Sequence, residues 1–128
     1  MLGCVLSCAA PAADPTDELP LTKPVNLKAM PTDISVSNLN RAMKRYNREL
    51  GVACSYCHVE NRDTGKVDYI SDENAKKETA RIMITMLEDI NDKYLAQLDG
   101  DVRYTADMGC GTCHQGRANP PPFESKAR

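Results

Sequence analysis

The chain is predicted to be all-α, with two long helices, each leading to a short cysteine-rich turn, and long irregular loops between them. Three observations predict this. Apolar residues recur every three or four positions in two segments. No long run alternates with a period of two. One motif, Cys-x-x-Cys-His, occurs twice, each time downstream of a helical segment.

The first thirteen residues, "MLGCVLSCAAPAA", are small and apolar. They fall short of the roughly 20 apolar residues that span a bilayer. They read as the remnant of an export signal, or as a lipoprotein signal in which "VLSC" makes Cys8 the lipid-bearing residue rather than Cys4. A Cys4–Cys8 disulfide is the plainer alternative. "PAADPTDELPLTKP" follows, with four prolines and no apolar period, so it reads as an extended tether. Residues 1–30 are therefore signal remnant and tether, and 31–128 form the domain.

The first helix is expected from about Ser37 to Leu50, with Val36, Leu39, Met43, Tyr46 and Leu50 on one face. Ser37 caps its start and Gly51 ends it. Arg41, Lys44, Arg45 and Arg48 make a solvated basic face, or a docking patch for an acidic partner. "CSYCH" (Cys54 to His58) comes next, then a polar loop with a turn at Thr64-Gly65. The second helix is expected from about Glu73 to Leu98, capped by Asp72 or Ser71 and stopped by Gly100. Its stripe is Thr79, Met83, Met86, Ile90 and Tyr94. "CGTCH" (Cys110 to His114) and a Pro-rich tail close the chain.

The 128 residues suffice for one modest domain. With no Trp, one Phe and five Tyr, the core is thin, and something other than side chains should fill its middle. A net charge of −2 gives no electrostatic footprint for nucleic acid.

Residues i, i+3 and i+4 of a helical turn share a face. Cys54, Cys57 and His58 therefore point together, as do Cys110, Cys113 and His114. Two thiols at this spacing can add to the vinyl groups on one haem edge, and the following imidazole then reaches the iron. This is the c-type attachment signature. A four-cysteine zinc site usually separates its pairs by about 15–20 residues, and it leaves the two histidines unexplained. A thioredoxin-like redox motif needs a βαβ setting, which is missing. Two covalent haems c are expected, and they fill the thin core. Attachment of this kind occurs outside the cytoplasm, in keeping with an exported N-terminus.

Both histidines of the chain lie in these motifs, so methionine is the natural distal ligand. Met1 lies in the leader, Met30 at the edge of the tether, and Met108 too near Cys110 to reach a distal face. Met43, on a helix that folds back at Gly51, suits the first haem. Met83 and Met86 remain for the second, and spacing does not choose between them.

With these residues in place, the chain resembles the cytochrome subunit of purple-bacterial photosynthetic reaction centres, over about Leu39 to Pro122, one two-haem unit of that family. "LGVACSYCH" is similar to the family's LG-x-x-C-x-x-CH segment, "ARIMITMLEDIN" to its R-x-M-x-x-M helix ending in IN, and "CGTCHQG" to its C-x-TCH-x-G. The resemblance implies Met43 as the first distal ligand and Met83 as the second, leaving Met86 as packing.

The expected function is electron transfer without catalysis, between periplasmic or membrane-associated redox proteins, a reaction centre or other membrane complex among them. The membrane is reached through the lipid on Cys8. The rival readings are a subunit of a larger cytochrome assembly or filament, and a dihaem peroxidase. The peroxidase would need an open iron and a nearby acid–base group.

Overall fold

A computed structural model describes residues 22–98 and 107–122. The described chain is mostly helical, with one short hairpin. Helix α1 spans Val36–Leu50. Its cap is Ser35 rather than Ser37: Ser35 is extended, and its Oγ accepts from Asn38 N at 3.2 Å. The helix ends as expected at Gly51, whose φ of 64° is left-handed and whose N–H donates to Asn47 O.

Cys54–Tyr56 form a single 3-10 turn. Strands β1 (Val59–Glu60) and β2 (Val67–Asp68) pair antiparallel, Val59 opposite Asp68. Asn61 shapes the turn between them: its Oδ1 accepts from Asp63 N and Thr64 N, both at 3.0 Å, and Gly65 adopts φ 67°.

Helix α2 spans Ala75–Asp89 and continues as a π-turn, Ile90–Tyr94, and a 3-10 turn, Leu95–Gln97. The single long helix expected over 73–98 thus changes winding after Asp89. Its cap is Asn74, whose Oδ1 accepts from Lys76 N at 3.0 Å. Asp72 is instead engaged by cations, and Ser71 Oγ accepts from Glu73 N. Gly100 lies outside the described residues. Helix α3, Cys110–His114, is one turn long. Thr112 Oγ1 accepts from Gly109 N at 3.2 Å at its start, and Gln115 and Gly116 take positive φ at its end.

Conventional core is scarce. Among the described residues Leu39 is the one buried hydrophobic side chain, and the one buried polar residue is Arg81. The helices instead surround a cavity. No described helix is long and apolar enough to cross a membrane.

Candidate haem-binding cavity

The cavity measures about 240 Å³ and is lined by Cys54, Cys57 and His58 from the first motif and by Cys110 and His114 from the second. Met43 lines it from α1 and Met83 from α2, whereas Met86 is not among its lining residues and is about half exposed. Cys113 is exposed. The four motif cysteines are free thiols. Among the described residues no three His, Cys, Asp or Glu side chains converge as a metal-ion site.

Each end of α2 holds one motif through an asparagine. Asn74 caps the helix with its oxygen and donates from Nδ2 to Tyr56 O at 3.1 Å, inside the first motif. In the π-turn, Asn91 Nδ2 donates to Met108 O at 3.0 Å and Oδ1 accepts from Met108 N at 2.8 Å. This two-point grip fixes the chain two residues before Cys110.

The end of α1 holds the second motif too. Gly116 N donates to Glu49 O at 2.9 Å, and Gly111 N to Glu49 Oε2 at 3.2 Å. The approach is so close that a β-carbon on Gly51 would lie 2.1 Å from Gly116 O. Gly51 is therefore required both by its backbone angle and by space. Asn47 adds a contact at the first motif, donating from Nδ2 to Cys54 Sγ at 3.4 Å.

The two imidazoles are set differently. His114 Nδ1 lies 2.9 Å from Arg117 O. Donation there places the ring proton on Nδ1 and the lone pair on Nε2, the tautomer a metal-binding histidine needs. His58 Nδ1 is buried with no hydrogen-bond partner, and its ring packs edge-on to Tyr69, centroids 5.1 Å apart. Burial, and then the nearby Lys77, hold the His58 pKa below its ordinary value, so the ring is neutral and able to ligate. Burial raises the thiol pKa of Cys57, and burial with the Glu49 carboxylate raises that of Cys110.

A cationic cluster closes the first-motif side. Lys28, Lys77 and Arg81 share Asp72 at 2.7, 3.3 and 2.8 Å. Hydrogen bonds from Arg81, then Lys28, hold the Asp72 carboxyl well below the usual carboxylate range. Lys77 Nζ also donates to the carbonyls of Tyr69, Ile70 and Ser71. Asn26 joins the cluster, donating to Ile70 O and Asp72 Oδ1 and accepting from Arg81 Nη2 on its own carbonyl. Residues 25–30, read from sequence as the end of a tether, thus strap across the cavity and line it.

Met30 is the residue that sequence reasoning set aside and the structure brings in. It lines the cavity, and Tyr46 OH donates to its sulfur at 3.7 Å. Its neighbour in sequence is Pro31, and nothing local marks it. Glu49, Asn74 and Asn91 were likewise unmarked, apart from the IN that ends the second helix pattern. Cys8 lies outside the described residues.

The donor set suits haem c. Each motif offers two reduced thiols and an imidazole, both imidazoles reach one cavity, and the thioethers of Met30, Met43 and Met83 line it as well. Residues 5–125 match the family described as "Photosynthetic reaction centre cytochrome C subunit". The photosynthetic reaction center cytochrome c subunit of Rubrivivax gelatinosus is 32% identical over 106 residues, covering 72% of this chain and 28% of that protein. The chain thus spans less than a third of the length of that relative. No solved structure matches it. On its sequence match along nearly its whole length, the chain belongs to the photosynthetic reaction-centre cytochrome c subunit family.

Proposed function

We propose that the protein is an electron-transfer cytochrome carrying two covalent haems c, one per helix–Cys-x-x-Cys-His unit. The observation that carries this reading is the convergence of both motifs and of Met30, Met43 and Met83 on one cavity, with little other core among the described residues. Haem c, when bound, supplies a one-electron ferric/ferrous couple.

The chain's own residues do the rest. Cys54 and Cys57 hold the first group and Cys110 and Cys113 the second, as thioethers. His58 and His114 are the proximal ligands. The Arg117 carbonyl orients the His114 ring. Met43 is the first distal ligand and Met83 the second. Met83 is favoured over Met86 because it lines the cavity. Methionine ligation raises the potential of a c-type haem, so both sites are relatively high-potential carriers. With His58 and Met43 for one haem and His114 and Met83 for the other, neither iron would be left open for peroxide chemistry, which favours electron transfer over catalysis.

The working place is the periplasm or another extracytoplasmic space, with Cys8 as a lipid anchor. The partners are redox proteins, among them a membrane electron-transfer complex such as a reaction centre. The test is an intact mass measured together with a visible spectrum of protein matured with its haem. Two covalent haems, both low-spin with a methionine–iron charge-transfer band, are expected. One haem, none, or a high-spin iron in the untreated protein overturns the reading.

A further inference from the structure

The two motifs sit in different electrostatic surroundings, and one residue makes most of the difference. Glu49 touches the second motif three ways. Its carbonyl accepts from Gly116 N at 2.9 Å, just past the motif. Its carboxylate accepts from Gly111 N at 3.2 Å, between the two cysteines. Its side chain lies so close to Gly109 and Gly111 that a β-carbon at either would come within 3.2–3.3 Å of it. The carboxylate is three-quarters buried. Its nearest cation, Arg45, is 3.9 Å away and more than half exposed, so water screens that pairing.

At the first motif the carboxylates are matched by cations. Lys28, Lys77 and Arg81 share Asp72, and Lys77 and Arg81 side chains are nine-tenths buried beside the cavity that His58 lines. Glu78, though mostly exposed, pairs with Arg81 at 3.1 Å. Asp68 is engaged by Ile70 N and Ser71 N.

A fixed negative charge stabilises the oxidised, more positive iron, and a fixed positive charge the reduced one. We propose that Glu49 is the positioning residue of the second attachment turn and that its carboxylate makes the second haem the lower-potential of the two. The inference rests on the two-haem reading above. It also gives the chain an internal order: an electron leaving the His114 site reduces the His58 site, one oxidised as the other is reduced.

Two substitutions separate the roles. Glu49→Gln keeps an oxygen for Gly111 N and removes the charge. Glu49→Ala removes both. Asp63→Asn, in the exposed hairpin turn, is the control for net charge. Haem number is read by intact mass and both potentials by spectroelectrochemical titration of the holoprotein. Glu49→Gln should keep two haems and move the lower wave upward while the upper stays, and Asp63→Asn should move neither. Glu49→Ala should lose occupancy at the second motif, leaving a one-haem fraction. The inference is overturned if Glu49→Gln moves the upper wave or neither. It is equally overturned if Asp63→Asn moves the lower wave as far, or if Glu49→Ala keeps full occupancy. A wild-type protein without two haems would instead refute the two-haem reading itself.

Discussion

Replacing Gly51 by alanine should be the costliest single-methyl change in the described chain. Gly51 has φ 64°, and a non-glycine residue in the left-handed region costs roughly 1–2 kcal/mol. Its new β-carbon would also sit 2.1 Å from Gly116 O and 3.0 Å from Gly116 C, both backbone atoms that cannot rotate away. Relief requires the end of α1 and the segment after α3 to part, which breaks the Gly116 N to Glu49 O bond, worth about 0.5–1.5 kcal/mol. The total is about 1.5–3.5 kcal/mol. Gly65 provides an internal control: its φ is 67°, but nothing lies within 4 Å of an added β-carbon, so Gly65→Ala should cost only the roughly 1–2 kcal/mol of backbone strain. Urea unfolding of both holoprotein variants measures the difference, and haem counting shows whether Gly51→Ala also loses the second group. If Gly51→Ala is no more destabilising than Gly65→Ala, the close approach of α1 to the second motif is not real.

Met83→Ala should turn the second iron high-spin, while Met86→Ala and Met30→Leu leave both irons low-spin; visible and EPR spectra read this directly, and the reverse pattern would reassign the sulfur. Asn91→Ala removes two hydrogen bonds to Met108, at about 1–3 kcal/mol in total, and should speed hydrogen exchange at the Met108 and Gly109 amides more than in α1. Asp72→Asn should lower Tm at neutral pH by loosening the strap over the cavity. Because the Asp72 pKa is depressed in the folded protein, its contribution is complete above the ordinary carboxylate pKa of about 3.9 and fades as pH falls below it. The Tm gap between wild type and variant should therefore narrow below about pH 4, and a gap that stays constant down to pH 2 would contradict this.

The parts legible in sequence were those fixed by local chemistry. Helix α1 is amphipathic at helical spacing and stops at a glycine, and it lies where that pattern puts it. The Thr64-Gly65 turn is a turn because Gly65 takes a positive φ and Asn61 folds its side chain onto the next amides. The scarcity of aromatics foretold a weak core, and Leu39 is the one hydrophobic buried. The cap of α2 was misplaced because Asp72, a good capping residue, had better partners in Lys28, remote in sequence, and in Lys77 and Arg81, in the next turns of the helix. Glu49 and Asn91 were invisible for the same reason. Their partners, Gly111 and Met108, lie 62 and 17 residues away, and no local pattern encodes such contacts. Met30 looked like linker because its segment is Pro-rich and aperiodic; it is held by tertiary bonds from Asn26 and Lys28, not by secondary structure.

The most direct measurement is the intact mass of the matured protein before and after substituting both cysteines of one motif. Two haem equivalents should be found on the wild-type chain. One should remain when Cys54 and Cys57 are replaced by alanine, and one when Cys110 and Cys113 are. A wild-type mass with one haem or none, or a mass unchanged by either double substitution, would contradict a cytochrome with one covalent haem on each motif.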